Sequence, residues 1–292
     1  MIEHLLDLTV SAFLLAGLYA TMAYGLGLIY GVLRVVNLNH GGMIMAGAYA
    51  AWWAHDQFGL DPYLSIPIIL VLAFLVGVLT YAGLVRRLPR GAAGGVQSLL
   101  LLFGVWLILR NAAYLIFSGN DQTVLTSYST KALPFLGAQI SVNRLAVFGV
   151  ALVTLGALHL FLTRTYVGKA IRAVAQNPES CTLAGVPVQR IYMLTFGLGT
   201  ALASLAGALA TGLYAFNPGF GATELLKSFV VVVLGGLGSV AGTAVAALIL
   251  ALVENFSILV IPSYLTSAVG FVLLVLVLVL RPGGLFGQRV LG

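Results

Sequence analysis

The stretch Arg164–Arg190, RTYVGKAIRAVAQNPESCTLAGVPVQR, is a polar island between two hydrophobic halves of the chain. From Val167 the apolar residues Val167, Ala170, Ile171, Val174 and Ala175 recur at helical spacing, with Lys169, Arg172 and Gln176 on the other side. This spacing predicts a short amphipathic helix. Asn177 is suited to cap a second helix, Pro178 to its first position, and Glu179 to its positive end. Gly185 fits the left-handed residue just past that helix, and Pro187 stops its continuation. On its residues alone, the island is either a docking handle for a partner or a solvated loop lying on a membrane surface.

The surroundings decide the fold class. Hydrophobic residues make up 61% of the chain and charged residues only 8%, far from the roughly 25% charged residues of soluble domains. The sequence predicts an all-α polytopic integral membrane protein. Its net charge of +6 sits in short linkers between apolar runs, a distribution that reports membrane orientation rather than a nucleic-acid face. One cysteine, Cys181, excludes an internal disulfide and reads as a small helix residue. Glu3 and Asp7 stand where a signal peptide carries positive charge, so no removed signal is expected.

Apolar runs occupy about 8 to 31, 41 to 55, 63 to 85, 96 to 118, 145 to 163, 191 to 215, 228 to 253 and 262 to 280, about eight membrane-embedded segments. A spanning helix needs roughly 20 such residues. The short run 41 to 55, with Gly41, Gly42 and Gly47, predicts a broken or tilted element. Placing Arg34, Arg86, Arg87, Arg90, the island, Arg281 and Arg289 on one side collects ten of the 14 Lys and Arg in the cytoplasm and leaves the N-terminus outside. Lys131, Arg144 and Lys227 then fall outside, and Arg110 lies in a span, within snorkelling reach of the headgroups.

Parity requires the run 228 to 253 to begin and end on one side. Two half-helices meeting at GGLGS, Gly235–Ser239, satisfy this; a single long span with a miscounted crossing elsewhere is the alternative. The order of elements hints at two related halves: Gly41-Gly42, a small-residue helix and a span ending at Arg86, then GGLGS, another such helix and a span ending at Arg281. Chance in Gly-rich and Ala-rich helices gives the same pattern. Gly197, Gly199, Ala203, Gly207 and Gly212 permit close helix packing.

Catalytic chemistry is scarce. The histidines His4, His40, His55 and His159 form no HExxH pair, and Asp7, Asp56, Asp61 and Asp121 fall at predicted membrane edges. Gly168-Lys169 lacks the Walker A context, so a motor, if there is one, is another polypeptide. Polar groups at membrane depth usually have a purpose. Asn37, Asn39, His40, Gly41 and Gly42, with Gly235, Gly236, Gly238 and Ser239, are candidates for lining a translocation path, although for His40 a structural bond to exposed backbone is favoured. Glu254 and Asn255 read as an outer-interface cap, and Glu224 and Lys227 as an external contact or a partner for substrate charges. The polar stretch Ser118 to Ser141 either receives a binding protein or is a plain connector.

The island, the following FGLGTALASLAGALATGLYAFNPGFGA, the run VVVVLGGLGSVAGTAVAALILALVEN and the early VVNLNHGGMIMAGAYAA together resemble the LivH-type permease subunit of ABC importers for branched-chain amino acids. The resemblance runs from about Gly17 to about Leu285. It implies a single permease domain over 1–292 in the bacterial inner membrane, with cytoplasmic coupling helices at about 164–190. The coupling residues would be Val167, Gly168, Ile171, Arg172, Val174, Asn177, Pro178, Glu179, Leu183 and Gly185, with Val167, Ile171 and Val174 as the apolar contact. It also implies a LivM-type second permease, two LivG/LivF-type ATPases carrying ATP and magnesium, and a periplasmic amino-acid-binding protein. No cofactor is expected on this chain. Related permeases handle urea, short amides or other amino acids, and a secondary transporter or channel working alone is the rival class.

Overall fold

The computed structural model describes residues 2–89, 92–135, 138–236, 238–262, 265–281 and 283–286. Arg90, Leu237, Ser263 and Arg289 lie outside them. The elements are α1 (Ile2–Leu33), α2 (Asn39–Phe58), α3 (Pro62–Gly83), α4 (Ala92–Phe117), β1 (Ala132–Phe135), β2 (Ala138–Ser141), α5 (Val142–Arg164), α6 (Tyr166–Gln176), α7 (Pro178–Leu183), α8 (Val188–Ala210), α9 (Phe220–Gly235), α10 (Val240–Ser257) and α11 (Thr266–Leu280). Five of them, α1, α3, α4, α5 and α8, are long and apolar enough to cross a membrane. The strands form one antiparallel hairpin, a small exception to the all-α expectation inside the stretch 118 to 141.

Two ends of the bundle are distinguishable. At the island end, Val32, Leu162, Ile171, Val174 and Ile191 share one apolar cluster, Val85 packs with Ile29 and Phe196, and Leu285 N–H donates to Leu234. At the hairpin end, Gln139 N–H donates to Asp7 at 2.8 Å, the Tyr63 hydroxyl donates to Asn143 Oδ1 at 2.9 Å, and Asn217 donates to Asp121 at 2.8 Å. Asp61 caps α3 by accepting from Tyr63 N–H, with Pro62 at the first helical position. The chain alternates between the ends. In this order α1, α3, α5, α9 and α11 run toward the island end, and α2, α4, α8 and α10 away from it.

The centre is α1 and α8, buried along most of their length, while α4 and α5 are mostly exposed. Exposed Leu64, Ile68, Val71, Leu72, Leu75 and Leu79 on α3 form an apolar rim suited to lipid rather than water. Helices at the centre approach almost backbone to backbone. A Cβ on Gly207 would lie 1.8 Å from the Ile44 carbonyl, and one on Gly47 1.9 Å from that of Ser204, so α2 and α8 cross through glycines. The predicted close-packing stripe on α8 is thus used inside the chain.

The packing of α1–α3 against α8–α10 has the pattern of an inverted repeat. A Cβ on Gly25 would lie 2.7 Å from the Gly199 carbonyl and one on Gly199 2.6 Å from that of Gly25; Gly41 and Gly221 show the same reciprocity at 2.3 and 2.2 Å. As α3 packs chiefly on α8, so α10 packs chiefly on α1; α2 packs chiefly on α8, while α9 divides its contacts about equally among α1, α10 and α2. This is the pattern of a pseudo-two-fold axis passing between α1 and α8 and between α2 and α9.

Three expectations are corrected here. The repeat unit matching α2–α3 is α9–α10, not the elements after GGLGS, because run direction is inverted between the halves. Gly41 and Gly42 do not break a helix. They lie in the first turn of α2, and the break is the non-helical Arg34–Leu38 before it, where Arg34 itself has φ 58°. The run 228 to 253 is indeed two helices, but the first begins at Phe220 and the turn lies at the island end, level with Gly31 of α1. Gly236 and Gly238 have φ of 94° and 87°, values open to glycine and strained for other residues.

Candidate functional site

The island is built as its residues dictate. Thr165 caps α6 by accepting from Gly168 N–H at 3.0 Å, and Asn177 caps α7 by accepting from Ser180 N–H at 2.9 Å, with Pro178 at the first position. Gly185 has φ 79° just past α7. Gly168 marks the corner between α5 and α6: a Cβ there would lie 2.1 Å from the Phe161 carbonyl, so a side chain would lever α6 off the bundle. Ile171 and Val174 are buried, at 1% and 0% exposure, with half-buried Val167 packed beside them against Leu162 and Val32. The apolar stripe expected to meet a partner is therefore spent within the chain, because a short amphipathic helix next to a bundle buries its stripe there first. What faces outward is Tyr166, Lys169, Arg172, Glu179 and Leu183, of which Tyr166 is 76% and Leu183 90% exposed.

Behind α6 lies a cavity of about 200 Å³ lined by Tyr24, Gly31, Ile171, Arg172, Gly238, Ser239 and Thr243 among others. Across it, α6 faces the α9–α10 turn. Ser239 caps α10 by accepting from Gly242 N–H at 3.0 Å, while Gly235 packs on Gly242 and Gly236 is buried. α6 itself packs on α5, α1 and α8.

Deeper in the bundle, polar groups gather near the starts of α2 and α9. His40 is fully buried, and its Nε2–H donates to the Met22 carbonyl at 2.9 Å on α1, the structural bond expected of it. Asn37 and Asn39 are buried beside it. On α9, Lys227 pairs with Glu224 at 3.1 Å and stands 5.3 Å from the Tyr19 ring and 5.7 Å from the Tyr214 ring, within cation–π range. Tyr19 O–H donates to Glu254 on α10. This corrects two readings: Glu254 is not an interface cap, and Lys227 is not external. Both lie inside the bundle, and Glu224–Lys227 is the one salt bridge among the described residues.

A permease family model, described as the branched-chain amino acid transport system / permease component, matches residues 8–278. The chain belongs to this permease family. It is 30% identical to the high-affinity branched-chain amino acid transport system permease protein BraD of Pseudomonas aeruginosa, over 98% of this chain and 97% of that one. It is 28% identical to the corresponding LivH of Escherichia coli K12, over 94% and 92%, and 27% identical to a probable LivH of Methanocaldococcus jannaschii, over 89% and 82%. No solved structure matches it.

Against this permease architecture, the candidate path residues fall into two separate groups. Asn37, Asn39, His40, Gly41 and Gly42 lie at the start of α2, where Gly41 meets α9 at Gly221, His40 bonds α1 and Gly42 faces Trp106 of α4, whereas Gly235, Gly236, Gly238 and Ser239 sit at the other end of α9, about 20 Å from Gly221 at 1.5 Å per residue. The coupling candidates stay together on one island. Tyr166, Trp106 and the Tyr19–Glu254 pair escaped the sequence reading. Tyr166 immediately precedes the periodic stripe, and the Tyr19–Glu254 contact joins residues 235 apart in sequence, which no local pattern signals.

Proposed function

We propose that this permease is one of two transmembrane subunits of an ATP-driven importer for branched-chain, hydrophobic amino acids, multi-pass in the bacterial inner membrane with the island in the cytoplasm. Its partners are a LivM-type second permease, two LivG/LivF-type ATPases and a periplasmic amino-acid-binding protein. ATP and magnesium sit on the ATPases, and this chain binds no cofactor and catalyses no reaction. The names of its full-length relatives support the substrate class, and the clustering of basic residues at the island end supports the orientation.

One observation carries the reading: the island presents exposed Tyr166 and Leu183 from a platform whose other face is fixed to the bundle. An ATPase gripping these knobs, with Arg172 and Glu179 at their side, would move α6 against the cavity and so against the α9–α10 turn. Opposed rocking of the two inverted halves would then open the middle of the bundle to each side in turn. The binding protein docks at the hairpin end, where the stretch 118–141 is tied to the α8–α9 linker by paired backbone bonds between Gln122 and Phe216.

The test is uptake of radiolabelled leucine by proteoliposomes containing both permeases, with and without the ATPases and the loaded binding protein. Uptake is expected only with all components and ATP. Uptake driven by an ion gradient with the ATPases omitted would overturn the assignment, and ATP-driven uptake of urea or short amides but not leucine would replace the substrate.

A further inference from the structure

Five buried polar atoms without a partner lie on or beside the first turn of α2, the Nδ1 of His40 among them. Asn37 and Asn39 are 1% and 3% exposed, and the Oδ1 of each lacks a hydrogen-bond partner. On α4, which packs against α2, the indole Nε1 of Trp106 and the Nε of Arg110 are likewise buried and unpartnered. Such groups are costly to leave unmatched in an apolar surrounding.

Gly42 brings Asn39 and Trp106 together. A Cβ on it would lie 2.6 Å from Asn39 Oδ1 and 3.1 Å from Cδ1 of Trp106, the ring carbon bonded to Nε1. An idle acceptor and the ring edge next to an idle donor therefore both border Gly42, where any side chain would crowd them. Arg110 adds charge from the next turn of α4, its guanidinium carbon 5.1 Å from the Trp106 ring centroid. The cation is folded back along α4 over the Trp106 ring. A snorkelling arginine would extend toward the nearer helix end at Phe117 instead, so the sequence expectation for Arg110 is not met. Leu38 at the N-cap of α2 offers no side-chain acceptor, which leaves first-turn amides and the positive helix end facing the same region.

The two kinds of idle group match the two ends of a zwitterion. We propose that the first turn of α2 and the facing Trp106 and Arg110 form the station at which a translocating amino acid's headgroup rests. The carboxylate is held by Arg110, the Trp106 N–H and the α2 N-terminus, and the ammonium by Oδ1 of Asn37 and Asn39. This rests on the amino-acid importer reading and adds to it the residues that meet the cargo. The Glu224–Lys227–Glu254 cluster is the weaker candidate, because its cation is already paired and only carboxylate oxygens are left over. A lipid phosphate is the other source of the anion chemistry.

The experiment uses the complete importer in proteoliposomes, reading labelled leucine moved per ATP hydrolysed. Trp106→Phe, Asn39→Leu and Arg110→Gln are each expected to keep ATP hydrolysis stimulated by the loaded binding protein within about twofold of the wild type. Leucine moved per ATP should fall about tenfold, the size expected for losing one hydrogen bond to a charged group. Asn111→Leu, on the exposed side of α4, should change neither. An unchanged ratio in both Trp106→Phe and Arg110→Gln would overturn the site, as would failure of both, and of Arg110→Lys, to assemble at all. A defect confined to liposomes rich in anionic lipid would assign Arg110 to a headgroup and also overturn it. Should the wild type carry a different cargo, the amino-acid reading fails by itself. The same variants measured with that cargo then judge the site, and dependence on Arg110 for a cargo without a carboxylate would contradict it.

Discussion

The hydroxyl of Tyr19 on α1 donates a hydrogen bond to Glu254 on α10, and Lys227 of α9 stands over the same tyrosine ring while paired with Glu224. Three helices are thus joined by charged groups in the interior. These are the central helix α1 and the two helices α9 and α10, whose connecting turn faces the island across the cavity.

Lys227→Met should leave Glu224 buried without its counter-ion. Breaking such a pair from one side costs about 3–5 kcal/mol, read as a lowered unfolding temperature in detergent. Because the double change Glu224→Gln with Lys227→Met removes both charges, it should recover most of that loss. Equal destabilisation by the single and double variants would mean that the pair is not what holds α9.

The crossing of α2 and α8 admits no side chain. Gly47→Ala or Gly207→Ala places a methyl within 2 Å of a backbone carbonyl, and each should abolish recovery of folded protein from membranes. Gly149→Ala and Gly156→Ala on α5 meet nothing within 4 Å and should express normally. Gel filtration of the four detergent-solubilised variants tests the contrast.

On the island, burial separates folding from coupling. Ile171→Asp buries a charge in the α6 platform and should destabilise the protein. Leu183→Asp and Tyr166→Ala alter only exposed positions, so thermal unfolding should stay unchanged while ATP-coupled uptake falls at least about tenfold, as expected when an aromatic or apolar anchor of an interface is lost. Normal uptake by both surface variants would remove the island from the ATPase contact.

At the hairpin end, Tyr128 O–H donates to Asp61 at 2.6 Å. Burial, then this bond, pushes the Tyr128 hydroxyl up to about 12. Free tyrosine ionises near pH 10, so the unfolded chain gives up this proton first. The bond's contribution is fully present below about pH 10 and is lost as pH rises through about 12. Tyr128→Phe should cost about 0.5–1.5 kcal/mol at neutral pH and make stability less sensitive to pH between those values, measured by thermal unfolding.

Much of this arrangement was legible in the residues. Asn177-Pro178 and Gly185 marked α7 because caps and left-handed residues are local choices, and GGLGS marked the α9–α10 turn through its need for positive φ. The island's docking face was misassigned because periodicity identifies an apolar stripe without saying which surface covers it; Ile171 and Val174 went to the bundle. The break was placed at Gly41-Gly42 because glycines there suggested a turn, whereas their use is the close approach to α9 and α4. Glu224, Lys227 and Glu254 looked peripheral because helix boundaries set their depth, and the start of α9 at Phe220 draws the first two inward.

The central claim is that an ATPase grips the island from the cytoplasm. Since Cys181 is buried, the direct measurement places a single photo-crosslinker at Leu183 in the co-expressed importer and identifies what it captures in intact cells. The account predicts capture of an ATPase subunit, lost when that subunit is omitted. Capture of the periplasmic binding protein, or labelling of position 183 by an impermeant reagent added outside the inner membrane, would contradict it.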